Sequence, residues 1–210
     1  MKVFGLVPAA GRGERFGGDK LLARLHDREL IGHVLLKLGG ARAAGLIGPT
    51  IVVHRPGDER IREIAAEYRC HAEEMRVADG DLSMTIRTGI DCAKSRGSAD
   101  SQQAILVCLG DQPMIRLDVI KAVIEAWSRG GASAVRPTYR DAPDHPGHPL
   151  LVDRSLWHLA DEMKGEKGFG TLLARHRVNV RLISVAGSNP DVDTPADLKL
   201  LDDEPRAATA

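Results

Sequence analysis

The chain reads as a single-domain α/β protein with a mainly parallel, doubly wound sheet. Short apolar runs alternate with longer helical patterns along nearly the whole chain, as strands joined by helical crossovers do. The 210 residues, 43% of them hydrophobic, suffice for one substantial core and at most an added arm. Two of the apolar runs also stop abruptly in glycine-rich or acidic turns, and ligands of such sheets bind at the carboxyl ends of strands.

Val3–Val7 is the first buried strand, followed by a glycine-rich loop and a helix over Leu30–Ala44. Thr50–Val53 is the next strand and Glu59–Tyr68 the next helix, with a third helix over Leu82–Lys94. Ala104–Leu109 is apolar throughout and ends in Gly110-Asp111, and Leu117–Ser128 is helical. Ala132–Arg136 reads as a strand, and the proline- and aspartate-rich Thr138–Gly147 as a loop. Asp153–Met163 is expected to be helical, Gly165–Gly170 a glycine-flanked turn and Thr171–His176 a helical run, before a last strand over Val180–Val185. Thr194-Pro195 starts a helix, with proline at the first helical position. The domain is expected to span residues 1–201, with 202–210 a frayed polar tail.

A formal net charge of zero gives no bulk attraction for nucleic acid, so affinity for anions must be local. Three cysteines without a CxxC pair argue against a disulfide framework and for a reducing cytoplasm. The opening apolar run is too short for the core of a signal peptide, and no segment approaches the ~20 apolar residues of a membrane helix.

The loop after the first strand, Pro8-Ala9-Ala10-Gly11-Arg12-Gly13-Glu14-Arg15-Phe16-Gly17-Gly18-Asp19-Lys20, is the richest segment. Its small residues let backbone N–H groups approach an anion, and Arg12, Arg15 and Lys20 can add charge-assisted contacts. The dinucleotide fingerprint G-x-G-x-x-G misses, because Gly11, Gly13 and Gly17 have one residue too many. The Walker loop misses because Asp19 separates Gly18 from Lys20 and Leu21 follows the lysine. From the loop alone, a solvated glycine-rich turn remains the competing reading.

Asp111, at the end of a buried strand, is placed either to hold a metal ion or to cap a turn stiffened by Pro113. In Asn189-Pro190-Asp191-Val192-Asp193-Thr194-Pro195-Ala196-Asp197, Thr194 and Asp197 have the spacing of an imperfect capping box. Asp193 has no such duty and is the better metal ligand, whereas Asp191 faces solvent or supports the turn.

The order A-A-G-x-G-x-R-x-G-x-x-K, G-D-Q-P, D-x-D-T-P-x-D-L resembles the MobA-like nucleotidyltransferases, and among them the molybdenum cofactor cytidylyltransferases. Gly80–Ile90, Gly147-His148-Pro149 and Gly165-Glu166-Lys167-Gly168 extend the resemblance, which covers roughly residues 3 to 201. It implies the Rossmann-like nucleotide-diphospho-sugar transferase fold and a Mg²⁺-dependent transfer of CMP from CTP to a phosphorylated acceptor, the molybdopterin form of the cofactor. Ala9, Ala10, Gly11, Arg12 and Gly13 would bind the triphosphate, with Arg15 and Lys20 neutralising it. Asp111 and Asp193 would hold Mg²⁺. Gly80, Ser83 and Thr85 would lie along base and ribose, and His148 and Gly168 on the acceptor side. The resemblance also implies a molybdenum hydroxylase, or its chaperone, as recipient of the product.

Departures from the family pattern are informative. Gly13 stands where serine is common, which removes one hydroxyl. Glu166 replaces aspartate, and Phe169-Gly170 replaces an Ala-Arg pair. The opening also resembles that of the methylerythritol phosphate cytidylyltransferases, but Gly110-Asp111-Gln112-Pro113 stands in place of their D-x-A-R-P motif. Ala9-Ala10-Gly11 is the cytidylyltransferase form, and a side chain at position 10 would crowd a purine. His145-x-x-His148 does not supply the four placed ligands of structural zinc. Cys108, Trp127 and Trp157 read as core, His33 and His54 as ordinary packed or surface histidines. Rival activities are guanylyl or other nucleotidyl transfer, an NAD(P)H-dependent reduction on the same fold, and non-catalytic nucleotide sensing.

Overall fold

Strand β1 (Lys2–Ala9) lies between two parallel partners and delivers the glycine loop to the sheet edge. The computed structural model describes residues 2–97 and 102–203. After the loop come a small hairpin, β2 (Arg24–Leu25) and β3 (Arg28–Glu29), and helix α1 (Leu30–Ala43). Then follow β4 (Thr50–His54), α2 (Glu59–Glu67), β5 (His71–Glu74), α3 (Leu82–Arg96), β6 (Gln103–Val107) and α4 (Leu117–Ser128). The second half holds β7 (Ala134–Tyr139), β8 (Ala142–Pro146), β9 (Leu150–Asp153), α5 (Phe169–Arg175), β10 (Val180–Val185) and α6 (Pro195–Asp203).

The main sheet has the order β10-β7-β9-β6-β1-β4-β5, with β8 paired to β7. Strands β6, β1, β4 and β5 are parallel neighbours, as are β7 and β10, while β9 runs antiparallel to both β6 and β7. The expected doubly wound, mainly parallel sheet is therefore present, with β9 inserted antiparallel and β8 added antiparallel beside β7. Alternation along β1 feeds two cores: Val3 and Val7 face the layer of α1 and α4, and Phe4 and Leu6 face that of α3. Trp127 and Trp157 anchor opposite layers at 1% exposure each. Their indole N–H groups donate to Asp153 Oδ2 and the Val152 carbonyl, so burial leaves neither polar handle unpaired. His54 is also buried, and half-buried His33 contacts the Leu25 carbonyl, so both pack as expected.

Three expectations need correction. The expected loop Thr138–Gly147 contains a hairpin, because β7 continues to Tyr139 and β8 pairs with it. Prolines are tolerated there because β8 pairs on one side only. The expected helix Asp153–Met163 is a 3-10 segment over Arg154–Glu162, and Asp153 ends β9 while capping it through Ser155 N–H at 2.9 Å. Of the expected tail, Asp202 and Asp203 complete α6, and Asp202 accepts from the His26 backbone N–H at 3.0 Å. Residues 204–210 lie outside the described residues. Among the described residues no helix is long and apolar enough to cross a membrane.

Helix α3 lies close against β1 because Gly89 has no side chain: a Cβ there would come within 2.3 Å of Leu6 Cδ1 and 3.2 Å of Val53 Cγ2. That contact fixes where the N-terminus of α3 meets the glycine loop.

Candidate active site

The glycine loop leaves β1 beside the segment that leaves β6. Cys108 N–H donates to the Leu6 carbonyl at 2.9 Å, so Leu109-Gly110-Asp111 continues alongside the end of β1. Gly13 shapes the loop. It is left-handed at φ +61°, its carbonyl accepts from the N–H groups of Phe16, Gly17 and Gly18, and a Cβ would stand 2.1 Å from the Gly18 carbonyl oxygen. The serine common in the family pattern at this position does not fit this loop.

Asp193 reaches Asp111 through the backbone. Val192 N–H donates to the Asp111 carbonyl at 2.9 Å, and the Gln112 side chain bonds Asp191 at 2.8 Å and Asn189 at 3.1 Å. Asp191 thus supports the turn. Its carboxyl sits above the usual carboxylate range, through burial and then through the negative charge of Asp111, against the Gln112 bond. Asp197 accepts from the N–H groups of Asp193 and Thr194 at 3.0 and 2.7 Å and from the Thr194 hydroxyl, the capping arrangement expected of it. Asp193 is left free to face the cleft. Gln112 and Asn189 stand inside motifs visible in the sequence, but their pairing depends on residues 77 positions apart and has no local signal.

Lys20 Nζ lies between the two carboxylates, 2.6 Å from Asp111 Oδ2 and 3.0 Å from Asp193 Oδ1. Arg15 Nη1 is 3.0 Å from Asp193 Oδ2. Burial works to lower the Lys20 ammonium, but the bonds and charges of the two aspartates outweigh it and hold the group above its ordinary value. Asp111 Oδ1 is buried with no hydrogen-bond partner among the described residues. An orphaned carboxylate oxygen beside a second convergent carboxylate suits a hard divalent cation, so the residues fit the Mg²⁺ implied for them.

A cleft of about 570 Å³ joins these groups. Ala10, Gly11, Arg12, Gly13, Arg15, Lys20, Gly80, Thr85, Asp111 and Asp193 all line it. Ala9 and Ser83 do not. Ala9 ends β1 with its methyl in the core, and Ser83 is 1% exposed, its hydroxyl donating to Asp81 Oδ1 at 2.6 Å. Arg12 pairs with Asp79 across the cleft mouth.

A carboxylate with no role evident from motif spacing, Asp81, organises the opposite wall. Asp81 Oδ1 accepts from Met84 N–H at 3.0 Å, capping α3, and Oδ2 accepts from Gly165 N–H at 2.9 Å, tying the helix start to the glycine turn. Its signal was the Asp-x-Ser sequence opening an apolar helix. His148 and Gly168 line a second cavity of about 190 Å³, which shares Leu82 and Leu109 with the first. Burial, then the charge of Arg136, pushes the His148 imidazole down to about 4, so it is neutral near pH 7.

The MobA-like NTP transferase domain profile matches residues 5–180. A probable molybdenum cofactor guanylyltransferase of Thermococcus gammatolerans is 27% identical over 162 residues, 77% of this chain and 76% of that protein. The crystal structure of Rv0371c from Mycobacterium tuberculosis H37Rv superposes with a TM-score of 0.77 at 26% identity, covering 97% of this chain and 100% of that one. The same mycobacterial protein in complex with manganese gives a TM-score of 0.75 at 26% identity over 96% and 98% of the two chains. Profile, relative and fold agree with the architecture built above from β1, β6 and the acidic turns: the chain belongs to the MobA-like NTP transferase family.

Proposed function

We propose that this nucleotidyltransferase-family chain moves CMP from CTP to a phosphorylated acceptor, the molybdopterin form of molybdenum cofactor, with release of pyrophosphate. The described residues, through the end of α6 at Asp203, make up one transferase domain. The observation that carries the reading is the convergence of Lys20, Asp111 and Asp193 on the floor of a cleft whose rim is the glycine loop.

The loop from Ala10 to Gly13 offers backbone N–H groups to the triphosphate. Lys20 and Arg15 reach phosphate oxygens by releasing Asp111 and Asp193, so the carboxylates keep both cations poised in the free protein. Asp111 and Asp193 would hold the divalent ion, which, when bound, supplies neutralisation of phosphate charge. Gly80 and Thr85 border the space for base and ribose. A phosphate nucleophile with its second pKa near ~6 is already ionised at neutral pH, so no side chain has to act as general base. His148, neutral and half-buried, orients rather than abstracts. The chain's task is positioning and charge neutralisation between two anionic reactants.

CTP is favoured by Ala10, which lines the cleft and there carries a side chain that would crowd a purine. A second reading, transfer of GMP from GTP, is favoured by the name of the Thermococcus relative. Pyrophosphate release with CTP, GTP and ATP, each with Mg²⁺ and molybdopterin, separates them: turnover at least ten-fold faster with CTP is expected, and preference for GTP overturns the base assignment. NAD(P)H oxidation without pyrophosphate release from any nucleotide would overturn the transferase reading itself. Three free cysteines suit a cytoplasmic setting, with a molybdenum hydroxylase or its chaperone receiving the product.

A further inference from the structure

The second cavity differs in chemistry from the cleft it adjoins. Its walls are largely apolar, with Ile86, Leu150 and Phe169 among them, and its described lining includes no carboxylate. Into it projects one cation, Arg136 of β7. The guanidinium is anchored on one edge: Nε donates to the Gly147 carbonyl at 3.0 Å and Nη2 to the Pro146 carbonyl. Nη1 has no hydrogen-bond partner among the described residues and faces Gly170, where a Cβ would stand 3.3 Å away. No described acidic side chain pairs with Arg136, whereas the three arginine and lysine side chains lining the neighbouring cleft each have a carboxylate partner. The neutral ring of His148 adds no second charge.

A half-buried guanidinium fixed by two carbonyls, with its free edge in an apolar cavity, is preorganised for an anion, because a desolvated charge gains most from a counter-charge. The cavity holds roughly six waters at about 30 Å³ each, the room of one small ring. We propose that Arg136 is the residue that selects the acceptor: the second cavity takes the edge of one ring of the acceptor, and Arg136 Nη1 donates to a negatively charged atom on it. This rests on the transferase reading for the word acceptor; the binding chemistry itself does not.

The test uses three small ring compounds of similar shape: benzoate, benzamide and benzylamine. Their dissociation constants are measured by ligand-detected NMR on the full chain, for wild type, Arg136→Met and Arg136→Lys, with melting curves for each. Wild type is expected to bind benzoate at least ten-fold tighter than benzylamine, with benzamide between. Arg136→Met is expected to bring the two within two-fold, and Arg136→Lys, which keeps charge but loses the fork, to retain part of the preference. Absence of a benzoate preference in wild type overturns the proposal without any variant, and so does an unchanged preference in a folded Arg136→Met. In parallel, pyrophosphate release with saturating nucleotide should show a KM for molybdopterin raised at least ten-fold in Arg136→Met, with kcat and nucleotide affinity within two-fold. No turnover in wild type would overturn the transferase reading alone, leaving the benzoate series to decide the role of Arg136. A loss of kcat or nucleotide affinity equal to the rise in KM would mark Arg136 as merely structural and overturn the proposal.

Discussion

Replacing Asp81 by alanine should loosen the wall of the cleft that faces the glycine loop. The carboxylate holds three donors: Met84 N–H at 3.0 Å, Ser83 Oγ at 2.6 Å and Gly165 N–H at 2.9 Å. Loss of an aspartate helix cap costs about 0.5–2 kcal/mol. The Gly165 N–H regains water in a half-exposed turn, so its bond contributes about 0.5–1.5 kcal/mol. The hydroxyl of Ser83, a residue 1% exposed, keeps only the bond it accepts from Arg87, and its unpaired O–H adds about 1 kcal/mol. The expected loss is about 2–4 kcal/mol, read as a shift in urea midpoint by tryptophan fluorescence. Asp81→Asn keeps the cap and should lose about 1 kcal/mol. The three bonds, that from Ser83 foremost, hold the Asp81 carboxyl below the usual carboxylate range. A depressed folded value means that the charge-linked stability is present above the unfolded value of about 3.9 and is lost as pH falls through the folded one. The gap between wild type and Asp81→Asn should therefore shrink below about pH 4. An Asp81→Ala midpoint equivalent to less than about 0.5 kcal/mol of loss, or a gap indifferent to pH, would refute the reasoning.

Other changes test other joints of the structure. Gly13→Ser adds a hydroxyl to the loop but also a Cβ 2.1 Å from the Gly18 oxygen in a left-handed conformation that costs about 1–2 kcal/mol; nucleotide affinity by calorimetry should fall at least ten-fold, and equal or tighter binding contradicts the loop geometry. Gly89→Ala gains about 1 kcal/mol of helix propensity but over-packs Leu6 and Val53 at about 1–3 kcal/mol. A net loss of up to about 2 kcal/mol is expected in urea, and net stabilisation would contradict the close approach of α3. Burial pushes the Cys70 thiol up to about 11 and the Cys108 thiol higher still. A thiol reagent at pH 8 should leave both unmodified until denaturant is added, and immediate labelling of Cys108 would contradict its place in the core.

Long apolar periodicities were readable because burial on a sheet or helix face leaves a repeat in the sequence. Thus α4 has the bounds its pattern implied and α1 differs by one residue at its end, whereas β10, with no buried residue, was bounded by its β-branched run alone. Strand β5 left no such trace: His71-Ala72-Glu73-Glu74 is a half-exposed edge strand with one apolar residue. Strand β9 is only four residues long, and its antiparallel direction depends on neighbours that are distant in the chain. In the site, Asp111 was legible because a carboxylate ending an apolar strand is unusual, and Asp193 because its neighbours Thr194 and Asp197 had structural duties of their own. Ala9 and Ser83 sit in the right segments but turn away from the cleft, an orientation set by strand alternation and helix phase that motif spacing does not encode. In the sequence Arg136 is one polar residue in a strand; only the placing of Leu150, Gly170 and Phe169 around it makes a cavity.

The most direct measurement is divalent-metal-dependent pyrophosphate release from CTP, with molybdopterin present as acceptor, by wild type and Asp111→Asn of matched melting temperature. Lys20 between Asp111 and Asp193 is held to be the catalytic floor. Wild type should turn over only with a divalent ion present, and Asp111→Asn should fall by about 10²–10³-fold, the range for losing one electrostatic contact to a transition state. Full activity in a folded Asp111→Asn, or wild-type turnover undiminished by chelator, would contradict it.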